Sequence, residues 1–206
     1  MEKRFLMKII GITGGVGAGK TTVITLMQQH FPVIFLCCDT IAHDLMRQGK
    51  EAYEQIVAHY GARILAPDKE IDRKKLSQVA FLEEGNTDFL NHVIHPLVQK
   101  QVETEIAMYR EKQSDIILVI EAALLLEAGY QDICDEIWYV YASEETRRKR
   151  LQKNRKYTNE KIDALFQKQY KEEQFQAGCD FMIENEDTEK QTKGSVLEQI
   201  KKRLKV

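Results

Sequence analysis

Five short apolar runs punctuate the chain, at Lys8–Thr13, Val33–Cys37, Ile116–Ile120, Glu136–Tyr141 and Phe181–Ile183. Each is continuous rather than alternating, the pattern of strands covered on both faces in a parallel sheet. The intervening segments change to a helical period. Tyr53, Ile56, Val57 and Tyr60 share a face before Gly61, and Val98, Val102, Ile106 and Tyr109 share another after Pro96, which suits a first helical turn. Thr158 is placed to cap a helix carrying Ile162, Leu165, Phe166 and Tyr170, while Val196, Leu197, Ile200 and Leu204 mark a last helix. Between the second and third runs lie about 75 residues that read almost entirely as helix, several times a simple crossover. The pattern therefore predicts an α/β protein with a helical insertion, the natural place for a substrate to bind.

A chain of 206 residues fits one domain with such an insertion. With 30 basic and 32 acidic side chains the formal charge is −2, so nothing global attracts nucleic acid or an anionic membrane. No apolar run approaches the roughly 18 residues of a spanning helix, and Met1 to Met7 lacks a signal-peptide centre, which predicts a cytoplasmic protein. Either Met1 or Met7 suits the start of translation. Cys37, Cys38, Cys134 and Cys179 show neither C-x-x-C spacing nor a nearby histidine pair, so they read as buried, reduced thiols.

The first apolar run leads directly into Gly14-Gly15-Val16-Gly17-Ala18-Gly19-Lys20-Thr21-Thr22, which satisfies G-x-x-x-x-G-K-[ST] between a strand and a helix. Glycines let successive main-chain N–H groups converge on phosphate oxygens. The helix beginning near Lys20 adds the positive end of its dipole, Lys20 reaches the β- and γ-phosphates, and the Thr21 hydroxyl suits Mg²⁺. Gly15, Val16, Gly17, Ala18, Gly19, Lys20, Thr21 and Thr22 are thus the candidate ATP contacts.

The loop identifies a nucleotide site and leaves the reaction open. No N-K-x-D tetrapeptide of a guanine-specific switch occurs. Asp39 follows the second apolar run, where strand ends of a parallel sheet open onto the ligand crevice; it can take the proton of an attacking hydroxyl, or cap the next helix. From Arg147 to Lys156 stand seven basic residues and no acidic one, just after a Ser143-Glu144-Glu145 helix start. Arg147, Arg150 and Arg155 suit a lid that stabilises phosphoryl transfer, and the same run suits an ordinary solvated face.

Taken together and in order, GITGGVGAGKTTV, CDTIAH, IDRKKLSQVAF, HPLV, EAALLLE and CDFMIEN resemble the dephospho-coenzyme A kinase family along nearly the whole chain. The resemblance implies a P-loop NTPase-like three-layer fold with a five-stranded parallel sheet. The nucleotide-binding core would span 7–42 and 113–206, a helical insertion about 43–112 would bind the coenzyme, and a lid would occupy about 144–176. It implies use of MgATP to phosphorylate the ribose 3′-hydroxyl of dephospho-coenzyme A, the last step of coenzyme A biosynthesis, by a monomer or small homo-oligomer.

Residue by residue, the resemblance makes Lys20, Asp39 and Arg150 catalytic and Thr21 the metal contact. It adds Arg147 and Asn185 on the nucleotide, and His43, Arg73, His95 and Glu121 with Asp39 on the acceptor; Asp72-Arg73 with Leu76 and Phe81 matches D-R-x-x-L-x-x-x-x-F. Asn185 is expected to read the base and Asp180 to support a turn. Three positions depart from the family pattern. Cys37-Cys38-Asp39 stands for D-A-D, leaving one carboxylate. Glu121-Ala122-Ala123-Leu124-Leu125-Leu126-Glu127 stands for D-x-P-L-L-F-E, keeping acidity at both ends and leaving Glu121 as a distal magnesium carboxylate. Asn154 stands where a second lid arginine is usual, beside Arg155. A kinase of another small acceptor and a nucleotide-binding regulator remain the competing readings.

Overall fold

The computed structural model describes residues 7–82, 86–112, 116–122, 125–126, 129–167, 169–186 and 189–204. It divides into two compact units, one of 1–36 with 113–206 and the other of 37–112. The first contains the sheet. Strands β1 (Lys8–Thr13), β2 (Val33–Cys37), β3 (Ile117–Glu121), β4 (Glu136–Tyr141) and β5 (Phe181–Glu184) lie in the order β2-β3-β1-β4-β5. β1 pairs in parallel with β3 and β4, Ile10 facing Val119 on one side and Glu136 on the other, and β5 runs parallel to β4.

The continuous apolar runs have the burial they imply in the middle of the sheet. Ile10, Ile12, Val119, Trp138 and Val140 pack with Val23 and Met27 of helix α1 (Lys20–His30) and with Val196 and Ile200 of helix α9 (Glu189–Leu204). Ile9, Leu118, Ile120 and Tyr139, one residue out of phase, face the other side and are buried too. The edges differ: β2 is half-buried throughout, and β5 buries only Ile183 fully. An edge strand has one neighbour, which hydrophobicity alone does not register. The Glu136 carboxylate joins three elements, accepting from Lys8 Nζ (2.6 Å), Trp138 Nε1 (2.7 Å) and Arg203 Nε (2.9 Å).

The second unit is helical: α2 (Cys38–Leu45), α3 (Glu51–Tyr60), α4 (Arg73–Leu82) and α5 (Asn86–Glu111), with one isolated bridge between Leu65 and Ile71. Ala52, Ile56, Tyr60, Ile64, Leu76 and Val93 form its core. The expected place of Pro96 is corrected here: it lies inside α5, not in a first turn. A proline there leaves the His92 carbonyl without its main-chain donor. Burial of Val93 before it and of Val98, Val102 and Ile106 after it carries the helix across the proline. The remaining helices, α6 (Glu144–Arg155), α7 (Asn159–Gln167) and α8 (Glu172–Gly178), lie between β4 and β5. Thr158 does stand before α7, its hydroxyl accepting from Lys161 N at 3.4 Å, but the helix ends at Gln167 and leaves Tyr170, expected on it, outside. No described helix is long and apolar enough to cross a membrane.

Candidate active site

In the first unit the carboxyl ends of four strands deliver chemistry to one rim, as the crevice rule for parallel sheets leads one to expect. After β1 comes the glycine loop, at the end of β3 stands Glu121, after β4 helix α6 begins, and after β5 comes Asn185. Gly19, the N-cap of α1, has φ 94° in the left-handed region. A Cβ there would overlap Asn185 Nδ2, and one on Gly14 (φ 145°) would lie 2.5 Å from the Val140 carbonyl oxygen. The loop is thus a shape that only glycine allows at these points. Lys20 to Val23, the first turn of α1, carry no acidic side chain, so the positive end of the dipole is left for an external anion. Gly19→Ala is expected to cost roughly 2–4 kcal/mol by strain and collision together, read as a fall in melting temperature with weakened ATP binding.

A cavity of about 540 Å³ opens at this rim, lined among others by Lys20, Thr21, Glu121, Arg150, Arg155 and Asn185. Lys20 Nζ donates to the Gly14 carbonyl at 2.9 Å and lies 3.9 Å from Glu121 Oε1. Arg150 donates to the Ala18 carbonyl (3.2 Å) and the Asn185 carbonyl (2.7 Å), bracing the loop as well as lining the cavity. Burial draws the Arg150 pKa below its ordinary value while the Glu186 carboxylate opposes that shift. Asn185, expected to read a base, is buried; its Nδ2 donates to Ala18 O at 2.7 Å, and its Oδ1 has no partner among the described residues. Asp180, expected to support a turn, instead exchanges two bonds with the Ile137 main chain of β4 and so ties the start of β5 to its neighbour.

The basic run of α6 divides by helical period. Arg148 pairs with Glu144 and Asp163, and Lys149 with Glu145, as a solvated face does. Arg147 and Arg150, three apart, turn to the loop instead. The Arg147 guanidinium lies 4.4 Å from the Phe166 ring centroid and donates from Nη1 to Gln169 Oε1 at 3.3 Å; the same oxygen accepts from Val16 N at 3.1 Å. Ser143 caps α6, and Glu186 accepts from Ser143 N, Ser143 Oγ (3.1 Å) and Thr146 Oγ1 (2.7 Å). Gln169 and Glu186 escaped the sequence reading. The charged and amide residues around each look like solvated surface, and nothing in local spacing reveals contacts more than a hundred or some forty residues away.

In the second unit Asp39 is the second residue of α2, exposed, two positions past β2. The N-cap is Cys37, so the capping alternative for Asp39 is not realised, although its charge favours the dipole of the first turn. His43 and Arg73 meet at a second cavity of about 300 Å³ with Arg47 and Glu70; His95 lies exposed on α5 and is not among that cavity's lining residues. The Asp-Arg pair divides its labour. Asp72 Oδ1 accepts from Lys75 N (3.2 Å) and Lys74 N (2.9 Å), and these bonds hold its carboxyl below the usual range. Arg73, the first residue of α4, projects from a helix start that its neighbour has fixed.

Ala123, Leu124 and Glu127 of the acidic-ended segment lie outside the described residues. Of the four cysteines, all free thiols, only Cys38 is fully buried; Cys37, Cys134 and Cys179 are half-buried. Burial, with the Asp180 charge adding to it, pushes the Cys179 thiol to about 12 and leaves it inert.

Comparison with known proteins identifies the family and the fold. The family model described as dephospho-CoA kinase matches residues 8–191. A dephospho-CoA kinase of Enterococcus faecalis is 30% identical over 203 residues, covering 96% of this chain and all of that protein. One of Moorella thermoacetica is 37% identical over 145 residues, 70% of this chain and 68% of that protein. The solved dephospho-CoA kinase of Campylobacter jejuni superposes with a TM-score of 0.70 at 22% identity, over 96% of this chain and 97% of that one, a likeness of fold.

Proposed function

The chain belongs to the dephospho-CoA kinase family, and on that premise we propose how its own residues share the work. The reaction passes the terminal phosphoryl group of ATP to the ribose 3′-hydroxyl of dephospho-coenzyme A, completing coenzyme A. One observation carries the assignment of parts: Lys20 and Thr21 of α1, Glu121 of β3 and Arg150 of α6 line one cavity at the glycine loop.

In this reading the loop amides from Gly15 to Thr22 and the Lys20 ammonium take the phosphates of ATP. Mg²⁺, when bound, would neutralise phosphate charge. Thr21 and Glu121 offer hard oxygen donors in the same cavity and would hold the ion. Among the described residues no three carboxylate, imidazole or thiol groups cluster as a metal cage, which suits an ion held by one or two protein oxygens plus phosphate and water. Arg147 and Arg150 meet the charge that spreads over the transferred group. The unpartnered Asn185 Oδ1 is available to an amino group of the nucleotide base.

Asp39 accepts the proton of the attacking 3′-hydroxyl, or orients it. Arg73 and Arg47, beside Glu70 and His43, give the second cavity guanidinium groups that suit an anionic part of the acceptor, and His95, exposed on α5 of the same helical unit, is assigned to the acceptor as well. Binding energy from those remote groups positions the hydroxyl. The enzyme would work in the cytoplasm, in keeping with its free thiols, as a monomer or small homo-oligomer.

The test is an acceptor panel: purified protein, MgATP and dephospho-coenzyme A, nucleoside monophosphates or sugars, with products resolved by chromatography. A 3′-phosphorylated product from dephospho-coenzyme A alone is expected. ATP binding without any transfer, or transfer to a different acceptor, would overturn the assignment. Arg150→Ala is expected to lower kcat roughly tenfold and to weaken ATP binding as well, because its loss releases the Ala18 carbonyl besides removing charge. Steady-state kinetics beside ATP titration separates the two effects.

A further inference from the structure

We infer that Gln169 is a positioning residue for phosphoryl transfer, its amide oxygen joining the Val16 main-chain N–H of the glycine loop to the Arg147 guanidinium. The inference rests on the role given to Arg147 above. Three observations define the arrangement. Gln169 Oε1 accepts from Val16 N at 3.1 Å and from Arg147 Nη1 at 3.3 Å. The Phe166 ring, 4.4 Å from the guanidinium, covers one of its faces. Gly15 leaves the space that the guanidinium fills: a Cβ there would overlap Arg147 Nη1 and lie 3.2 Å from Gln169 Oε1.

A long arginine side chain loses as much as about 2 kcal/mol of rotamer freedom when it is ordered. Here the ring holds its face and the amide holds its edge before any nucleotide arrives. A guanidinium carries five N–H donors, and Gln169 engages one of them. The choice of amide matters too. A carboxylate in this place would accept the same two bonds but neutralise Arg147 and set a negative charge beside the triphosphate. A neutral acceptor orients the arginine without competing for it, whereas a simple brace between α7 and α8 has no need of neutrality.

The experiment is a double-mutant cycle on kcat with Arg147→Ala, Gln169→Ala and the double variant, supported by thermal unfolding. Gln169→Met serves as a near-isosteric check that lacks the amide acceptor, and Gln169→Glu tests charge. Expected are a fall in kcat of about fivefold or more for Gln169→Ala and Gln169→Met with little change in KM for the acceptor, and less than about twofold further loss when Gln169→Ala is added to Arg147→Ala. Gln169→Glu should raise KM for ATP by roughly tenfold through repulsion. Independent, multiplying effects in the double variant, or wild-type kcat in Gln169→Met, would overturn the inference. Wild-type kcat in Arg147→Ala would instead remove the role of Arg147, a distinguishable result.

Discussion

Lys20→Ala removes at least about 10³-fold of turnover, the expected loss when a charged donor is deleted from a site where negative charge accumulates. Lys20 emerges from the first turn of α1 at the mouth of the glycine loop, its ammonium 2.9 Å from the Gly14 carbonyl and 3.9 Å from Glu121. Its side chain is only 18% exposed, so a phosphate arriving there meets a cation that water screens weakly. Lys20→Arg should rescue little, because a planar fork cannot replace a compact ammonium at this depth. Single-turnover kinetics with saturating ATP reads the chemical step directly. Turnover within tenfold of wild type would show that the main-chain amides suffice and would displace Lys20 from the reaction.

Asp39→Asn is expected to cut kcat by about 10²-fold or more while ATP binding is kept. The substitution conserves shape and keeps an acceptor oxygen, so it isolates the ability to take a proton. The residue stands in the first turn of α2 without being its cap, which makes a large stability loss from this change unexpected. The neighbouring Cys37 and Cys38 contribute no second carboxylate, so the loss has no nearby substitute. Comparable turnover in Asp39→Asn, measured beside ATP titration and melting temperature, would leave Asp39 as a helix-dipole partner only.

The central strands were legible because β1, β3 and β4 each read as unbroken apolar runs and are buried on both sides. The edge strands carried a similar signal and turned out half-buried, since order across a sheet is not encoded in a local pattern. Pro96 misled for a related reason: local propensity favours a helix start, while packing of Val93 and Val98 on either side continues the helix through it. The glycine loop was readable because its spacing is its chemistry. Arg147 and Arg150 could be picked from a charge run, but which of the seven basic residues turn inward needed the helix phase. Gln169 and Glu186 were invisible for want of any local counterpart; each acts on a segment that only folding brings near.

The Ala18 carbonyl, held by Asn185 Nδ2 and by Arg150 Nη1, has a consequence at the other end of its peptide bond. Because that bond is flat and trans, gripping the oxygen also dictates the heading of the Gly19 hydrogen, which must leave from the opposite edge of the plane. A side chain 167 residues along the chain therefore sets the direction of a main-chain N–H within the glycine loop.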